Sequence, residues 1–199
     1  MTRIQSLCLF CGSAAGASPV YRDAGLALAS VMARKKISLV YGGANVGLMR
    51  VVAEALLKAG VGVTGVMPRN LVDREVAHDG LTRLHIVPGI QERKALMAEL
   101  SDAFITLPGG FGTFDELFEM LSWNQLNLIR KPVGVLNVNG YFDPLLAQLD
   151  RAVEEGFLRN EHRELLVADQ DAEALIGKME QFIPREAEKW IDRLKAGKI

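Results

Sequence analysis

The sequence lacks any apolar run long enough to cross a lipid bilayer, and it carries almost no net charge. Its 23 Lys and Arg residues nearly balance 24 Asp and Glu residues, which leaves a net charge of −1. We therefore expect no membrane span and no nucleic acid partner, because nucleic acid binding calls for a broad basic surface. The first residues also lack the longer apolar stretch and small-residue cleavage site of a secretory signal, so we expect a cytosolic, or cytoplasmic, protein.

Cysteine and histidine are scarce, with two and three residues respectively. Cys8 and Cys11 have the C-x-x-C spacing of some zinc and redox sites, but zinc would need further ligands and the sequence has no second cysteine pair. A redox pair usually begins a helix, whereas Cys8 lies in an apolar strand pattern, so we expect two reduced, buried thiols. No catalytic spacing links the three histidines, His78, His85 and His162. We expect neither a metal nor a cofactor.

Short apolar segments alternate with longer helical patterns along most of the 199 residues. The predicted strands are residues 6–10, 37–41, 62–67, 84–87, 103–107 and 133–137. The predicted helices are residues 19–35, 48–59, 91–100, 113–126 and 142–155. Such alternation, with strands that are apolar along their whole length, predicts an α/β fold with a parallel sheet covered by helices on both faces. The length suits a single domain over residues 1–199, with two extra C-terminal helices, 172–182 and 185–195, packed outside it.

The most informative segment is LPGGFGTFDE, residues 107–116. It follows the apolar strand pattern 103–107 and opens an apolar helical pattern. A strand, a glycine turn and a helix in this order aim free backbone N–H groups at an anion. Glycine lets that backbone approach a phosphate without a Cβ clash. The segment is therefore a candidate phosphate-binding loop.

This loop matches neither of two familiar nucleotide-binding motifs. A Walker loop needs Lys before its Ser or Thr, and here Gly112 precedes Thr113. A dinucleotide fingerprint needs a third glycine where Asp115 stands, and it belongs to the first strand–helix turn of a chain. A purely structural alternative stays open, because Thr113 and Glu116 have the spacing of a capping box that would employ both side chains.

Three predicted strands end in glycine-bearing turns, at residues 11–13, 42–47 and 108–112. In an open parallel sheet these turns meet at the carboxyl edge, where ligands bind, so together they predict a crevice for a flat, phosphate-bearing ligand. Gly12, Ser13 and Gly43 are possible contacts in that crevice. Arg93 has a planar fork that suits a phosphate or ribose hydroxyls, although a solvated surface cation is the commoner fate of such a residue.

Residues 108–116, PGGFGTFDE, resemble the P-G-G-x-G-T-x-x-E signature of the LONELY GUY family. Members of this family are cytokinin riboside 5′-monophosphate phosphoribohydrolases, often mislabelled lysine decarboxylases. Further matching blocks are CGS at 11–13, LVYGG at 39–43, VGLM at 46–49, ERKA at 92–95, SDAF at 101–104, KPVG at 131–134 and NGYF at 139–142. The resemblance covers about residues 7–158. It implies a Rossmann-like, doubly wound fold and a homodimer.

The resemblance also implies a reaction and a set of site residues. The reaction is hydrolysis of the N-glycosidic bond of an N6-substituted adenosine 5′-monophosphate, which releases the free base and ribose 5-phosphate. Arg93 and Glu116 would be the catalytic pair. The phosphate would be held by Gly110, Phe111, Gly112 and Thr113, and the rest of the substrate site would be lined by Glu75, Arg93, Lys94 and Ser122.

Two roles compete for Glu116, because a side chain that turns back to cap the helix would lie near the bound phosphate and repel it. Catalysis therefore predicts that Glu116 faces the ribose. Two other functions stay open as well. A non-catalytic nucleotide-binding or sensor module would not need Arg93 and Glu116 together, and a pyridoxal phosphate-dependent lysine decarboxylase would need Lys94 as its Schiff-base lysine. Four residues, Ala44, Arg50, Asn124 and Asn127, depart from the family pattern, and none of them lies in the PGGFGTFDE segment.

Overall fold

The computed structural model describes residues 3–72 and 77–183, and seven parallel strands in this part of the chain form one sheet. The strands are β1 Ser6–Phe10, β2 Ser38–Tyr41, β3 Val63–Pro68, β4 Arg83–Val87, β5 Ala103–Thr106, β6 Val133–Leu136 and β7 Leu166–Asp169. Their order across the sheet is β4-β3-β2-β1-β5-β6-β7. The chain thus proceeds from β1 outward to β4 and then returns to the centre for β5. This reversal places a topological switch point between β1 and β5, where open α/β sheets bind ligands.

Helices cover both faces of the sheet. They are α1 Pro19–Lys35, α2 Gly47–Lys58, α3 Arg69–Val72, α4 Ile90–Glu99, α5 Phe111–Gln125, α6 Asp143–Glu154, α7 Asn160–Arg163 and α8 Ala172–Glu180, with a 3₁₀ turn at Val138–Gly140. Side chains of β1 alternate between the two faces, as the pleat requires: Leu7 packs with α1, α2 and α8, and Cys8 packs with α4 and α5. The predicted α/β fold with a doubly wound parallel sheet is confirmed.

Local signals explain where α1 and α8 begin. The hydroxyl of Ser18 accepts a hydrogen bond from the Val20 N–H at 3.4 Å, and Pro19 occupies the first position of α1, where its missing N–H costs nothing. The carboxylate of Asp171 accepts from the Ala174 N–H at 2.8 Å and begins α8 in the same way.

The C-terminal half contains elements that the sequence patterns did not reveal. Strand β7 is an edge strand of four residues between polar segments, too short for its alternation to stand out. The first C-terminal helical pattern forms α8, and Leu175, Ile176 and Met179 on its inner face are fully buried. This helix therefore covers the sheet rather than lying outside it. The second pattern, residues 185–195, and Glu75 lie outside the described residues.

Among the described residues, no helix combines the length and the apolar character that a membrane crossing requires.

Candidate active site

The glycine turns that follow β1, β2 and β5 touch one another at the switch point. The N–H of Gly12 donates to the Pro108 carbonyl at 3.0 Å, and the N–H of Leu48 donates to the Gly12 carbonyl at 3.3 Å. Gly47 has a φ of +51°, and a Cβ there would overlap the carbonyl of Ser13. The predicted convergence of the three turns on one edge is confirmed.

The glycines in these turns have different physical tasks. A Cβ on Gly109 would overlap the Thr113 hydroxyl and lie 2.7 Å from the Gly12 nitrogen, so close packing requires glycine there. At Gly110 and Gly112, by contrast, no heavy atom of the described residues, apart from the adjoining chain and helix backbone, lies within 4 Å of the Cβ position. These two glycines leave room beside the loop for a ligand. Gly43, with a φ of +83°, packs against β3 rather than against the phosphate-binding loop.

Helix α5 begins at Phe111, two residues earlier than predicted, with Gly110 as its N-cap. No side chain of the described residues caps this end. The first intrahelical bond runs from the Phe114 N–H to the Gly110 carbonyl at 3.1 Å, which leaves the N–H groups of Phe111, Gly112 and Thr113 ahead of it without helical partners. The capping box is therefore wrong: Thr113 is the third helical residue, and the helix start offers an uncapped group of donors.

Arg93 reaches from the first turn of α4 to three other elements. Its Nε donates to the Val66 carbonyl of β3 at 3.2 Å. Its Nη1 lies 3.7 Å from Oε1 of Glu116, and its side chain is only 15% exposed. The guanidinium also lies against Gly42 after β2, where a Cβ would overlap Nη2. Arg93 is thus not a solvated surface cation. It lies beside Glu116, with which the sequence predicted it to form a pair.

Glu116 lies one turn beyond the start of α5, and its side chain is 14% exposed. Burial raises the pKa of this carboxyl to about 7, with Arg93 acting to lower it and Asp115 to raise it. Both protonation states are therefore populated near neutral pH, which suits a group that takes up and gives back a proton. The carboxylate is directed at Arg93 and does not turn back to cap the start of α5, so the two roles predicted for Glu116 do not compete.

Lys94 joins α4 to α5. Its Nζ lies 3.1 Å from Oδ2 of Asp115 and 2.9 Å from Oε2 of Glu119, and the side chain is only 6% exposed. Burial lowers the pKa of Lys94, but the hydrogen bonds that its ammonium donates to Glu119 and Asp115 raise the pKa by more, so the net direction is upward. The ammonium group is therefore held charged between two carboxylates, and a contact between Lys94 and substrate stays a prediction.

Comparisons with known proteins agree with this geometry. A family model described as "Possible lysine decarboxylase" matches residues 49–179. The chain is 47% identical over 180 residues to the probable cytokinin riboside 5′-monophosphate phosphoribohydrolase LOGL1 of Oryza sativa subsp. japonica, covering 90% of this chain and 81% of that protein. It is 42% identical over 184 residues to the cytokinin riboside 5′-monophosphate phosphoribohydrolase LOG1 of Arabidopsis thaliana, covering 92% and 86%. The chain belongs to the LONELY GUY family.

Solved structures of lower sequence identity show a shared fold and no more. The molybdenum cofactor binding protein from Rippkaea orientalis superposes with a TM-score of 0.67 at 23% identity, covering 91% of this chain and 98% of that chain. The molybdenum cofactor carrier protein from Chlamydomonas reinhardtii gives a TM-score of 0.67 at 18% identity, covering 92% and 100%.

One residue that the LONELY GUY resemblance placed in the site, Ser122, is not brought beside Arg93. The hydroxyl of Ser122 donates to the Phe118 carbonyl of its own helix at 2.7 Å. Ser122 lies six residues beyond Glu116, which is about 9 Å along a helix and about 240° around it, and hence on another face. Its role, like that of Glu75 outside the described residues, stays a prediction. Ser13 is exposed in the turn after β1.

Two departures from the LONELY GUY pattern have a structural explanation. The side-chain amide of Asn124 is buried and spans the end of α5: its nitrogen donates to the Lys131 carbonyl at 2.9 Å, and its oxygen accepts from the Lys131 N–H at 3.1 Å. Asn127, three residues on, has a φ of +57°, which asparagine tolerates better than most residues. Both residues therefore shape the end of α5.

The two cysteines are free and buried, as predicted. Burial raises the pKa of both thiols well above the ordinary value, and the charge of Glu116 raises them further. They are neutral at physiological pH and are poor nucleophiles. Among the described residues, no three side chains of His, Cys, Asp or Glu gather as a metal site.

Proposed function

We propose that this protein hydrolyses the N-glycosidic bond of an adenosine 5′-monophosphate, with an N6-substituted base as the preferred substrate class. The observation that carries the proposal is the mostly buried Arg93–Glu116 pair, 3.7 Å apart, beside an uncapped helix start. The names of the relatives from rice and Arabidopsis support the same reaction.

The start of α5 is the proposed phosphate site. Its free N–H groups and the positive end of the helix dipole both favour an anion. Gly110 and Gly112 leave open space on that side of the loop. Binding energy from the phosphate, which takes no part in bond cleavage, would be used to hold the anomeric carbon beside Glu116.

Glu116 is the proposed catalytic carboxylate. As the bond from the anomeric carbon to the base breaks, its electron pair leaves with the base, and positive charge develops on the ribose ring. An ionised Glu116 stabilises that charge and accepts a proton from the attacking water, whose oxygen forms the new bond to the anomeric carbon. The proton passes to the departing base, so one nucleotide and one water become free base and ribose 5-phosphate. Arg93 would hold the sugar hydroxyls or the phosphate and keep part of the Glu116 population ionised.

The description of the family model favours a second candidate, a pyridoxal phosphate-dependent lysine decarboxylase. Lys94 would have to attack the cofactor as a neutral amine. Its pKa is instead raised by the carboxylates that hold it, although burial acts in the other direction. The site chemistry therefore opposes a Schiff base at Lys94.

Incubation with isopentenyladenosine monophosphate and with AMP, followed by chromatography for free base, tests the proposal. We expect base release from at least one nucleotide and far slower release from the matching ribosides, which lack the phosphate. Tight AMP binding without base release would instead favour the non-catalytic sensor module. An absorbance band of bound pyridoxal phosphate in the purified protein would favour the decarboxylase.

The proposal extends to a homodimer in the cytoplasm. The LONELY GUY resemblance supports the dimer, and so does the pair of apolar side chains Leu126 and Leu128, which are 65% and 66% exposed after α5. The two reduced thiols, Cys8 and Cys11, support a reducing compartment.

A further inference from the structure

Tyr141 makes a hydrogen bond to the candidate phosphate loop from an element that has no part in the proposed reaction. Its hydroxyl donates to the Gly109 carbonyl at 2.6 Å. Tyr141 belongs to the NGYF segment, residues 139–142, which follows β6. Strand β6 is the neighbour of β5 on the side away from β1, so Tyr141 belongs to a different strand–helix connection from the loop it contacts.

The turn that carries Tyr141 is held in one shape. Asn139 and Gly140 both have left-handed backbones, with φ of +52° and +69°. The side chain of Asn137 accepts a hydrogen bond from the Phe142 N–H at 2.8 Å, which closes the turn. Such a turn fixes the direction in which its next side chain leaves the backbone.

The ring of Tyr141 is held as well. It makes edge-to-face contacts with Tyr21 of α1, at 6.2 Å between ring centroids, and with Phe142, at 5.1 Å. Although Tyr141 is 37% exposed, its ring therefore has a defined position. The hydroxyl is brought to the Gly109 carbonyl by packing rather than by chance contact of a free side chain.

Holding the Gly109 carbonyl also fixes the N–H of Gly110, because both belong to one peptide unit. In a trans peptide the N–H points opposite to the C=O, and no cis peptide occurs in the described residues. The adjoining Pro108 carbonyl is held by the Gly12 N–H at 3.0 Å. Both carbonyls at the start of the loop are thus bound by donors of the protein.

A peptide between two glycines is otherwise easy to rotate, since neither residue has a Cβ to restrict it. Rotation of the Gly109–Gly110 peptide by half a turn would replace the Gly110 N–H with a carbonyl oxygen. An oxygen in that position would repel a phosphate, whereas an N–H binds it.

We propose that Tyr141 is a positioning residue for the phosphate loop, whose hydrogen bond to the Gly109 carbonyl keeps the Gly110 N–H directed at the bound anion. This inference rests on the proposed function of the loop. It assigns Tyr141 a task in binding the 5′-phosphate and none in breaking the glycosidic bond.

The substitution Tyr141→Phe tests this, because it removes the hydroxyl and keeps the ring contacts. Tyr21→Phe is the matched control: it removes a hydroxyl from the other ring of the same aromatic pair, and Tyr21 makes no hydrogen bond to the loop in the described structure. Binding of ribose 5-phosphate is measured by calorimetry, and kcat and KM are measured with the nucleotide. Loss of one hydrogen bond predicts about five- to tenfold weaker ribose 5-phosphate binding in Y141F. KM for the nucleotide rises by a similar factor, kcat changes less than about twofold, and Y21F matches the wild type.

Two further readouts separate positioning from loss of structure. The slow reaction with the riboside, which carries no phosphate, is expected to be unchanged in Y141F. The Gly110 amide resonance is expected to shift on addition of inorganic phosphate in the wild type and less so in Y141F. Equal binding of ribose 5-phosphate by Y141F and the wild type overturns the inference and leaves the proposed function standing, provided that the wild type releases base. A wild type that neither binds ribose 5-phosphate nor releases base overturns both.

Discussion

At the scale of single residues, the ionisation of Glu116 has the most direct functional consequence. Burial raises its pKa to about 7 in the free protein. Since the ionised form is the active one in the proposed reaction, we expect kcat/KM to rise with pH through about 7 and to level off above it. The profile is measured between pH 5 and 9. A phosphate monoester also titrates, near pH 6, so ribose 5-phosphate binding across the same range serves as the control. A profile that falls through neutrality would contradict the assignment.

The adjacent carboxylates of α5 allow a matched test of Glu116. Glu116→Gln keeps the shape of the side chain and removes its charge, and we expect kcat to fall by about 10² to 10⁴. Asp115→Asn is the control, because Asp115 is 59% exposed and Lys94 keeps its contact with Glu119. This variant should retain nearly full turnover. Base release by E116Q at close to the wild-type rate would show that Glu116 is not the catalytic carboxylate.

Gly42 is needed for the position of Arg93. A Cβ at Gly42 would overlap the guanidinium, so Gly42→Ala should displace Arg93 from Glu116. We expect kcat/KM to fall by about tenfold or more, the size of effect that follows loss of a charge-assisted contact. Gly62→Ala at the start of β3 is the control, because its Cβ would come no closer than 4.0 Å to Ser38. If G42A works as well as G62A, the position of Arg93 does not matter for the reaction.

At the scale of elements, a substitution in the first turn of α5 should change helix stability and ligand binding in opposite directions. Alanine favours a helix by up to about 1 kcal/mol over glycine, so Gly112→Ala should raise the melting temperature slightly. The same Cβ occupies the open space beside the loop, and we expect ribose 5-phosphate to bind about tenfold more weakly or worse. Gly177→Ala in α8 also meets no described atom within 4 Å apart from its own stretch of helix, and it should gain stability without losing binding. Unchanged binding in G112A would place the phosphate elsewhere.

The start of α5 differs by two residues from its predicted position. Sequence patterns favoured Thr113 because its spacing to Glu116 matches a capping box. In the fold, Thr113 packs its hydroxyl against Gly109 instead, and Glu116 is drawn to Arg93. A close contact within the loop and one tertiary ion pair thus outweigh a local preference worth about 1 kcal/mol.

At the scale of the whole molecule, the return of the chain from β4 to β5 creates the site. It brings the turn after β1 against the turn after β5 and leaves α4 and α5 side by side on one face. Arg93 and Glu116 are 23 positions apart in the chain yet form an ion pair for this reason. The alternation of strands and helices predicts a parallel sheet, but it does not state which strands are central.

The proposed homodimer leads to a prediction at this scale. Sedimentation of the purified protein should give the mass of two chains. Leu128→Lys should shift the measured mass toward that of one chain, because it puts a charge in place of an apolar side chain that is 66% exposed. Leu26→Lys is the control, since Leu26 is partly exposed on α1, over the opposite face of the sheet. A wild type that sediments as one chain contradicts the dimer. If L26K dissociates the dimer as L128K does, the interface does not lie specifically at Leu128.

Most of the architecture and the identity of the central loop follow from the sequence alone. Apolar runs, helical periodicity and glycine positions are local properties, so they predicted six of the strands, the covered parallel sheet, the two reduced thiols and the glycine loop with its family signature. Strand β7 and the buried face of α8 escaped because their apolar segments are short and depend on the neighbouring sheet for partners.

Only the tertiary structure decided how the site is arranged. The raised pKa of Glu116 comes from burial among segments that are distant in the chain, and the Tyr141 hydrogen bond joins the loop to a turn 32 residues away. Desolvation and hydrogen bonding depend on which groups packing brings together, and no local pattern of residues contains that information.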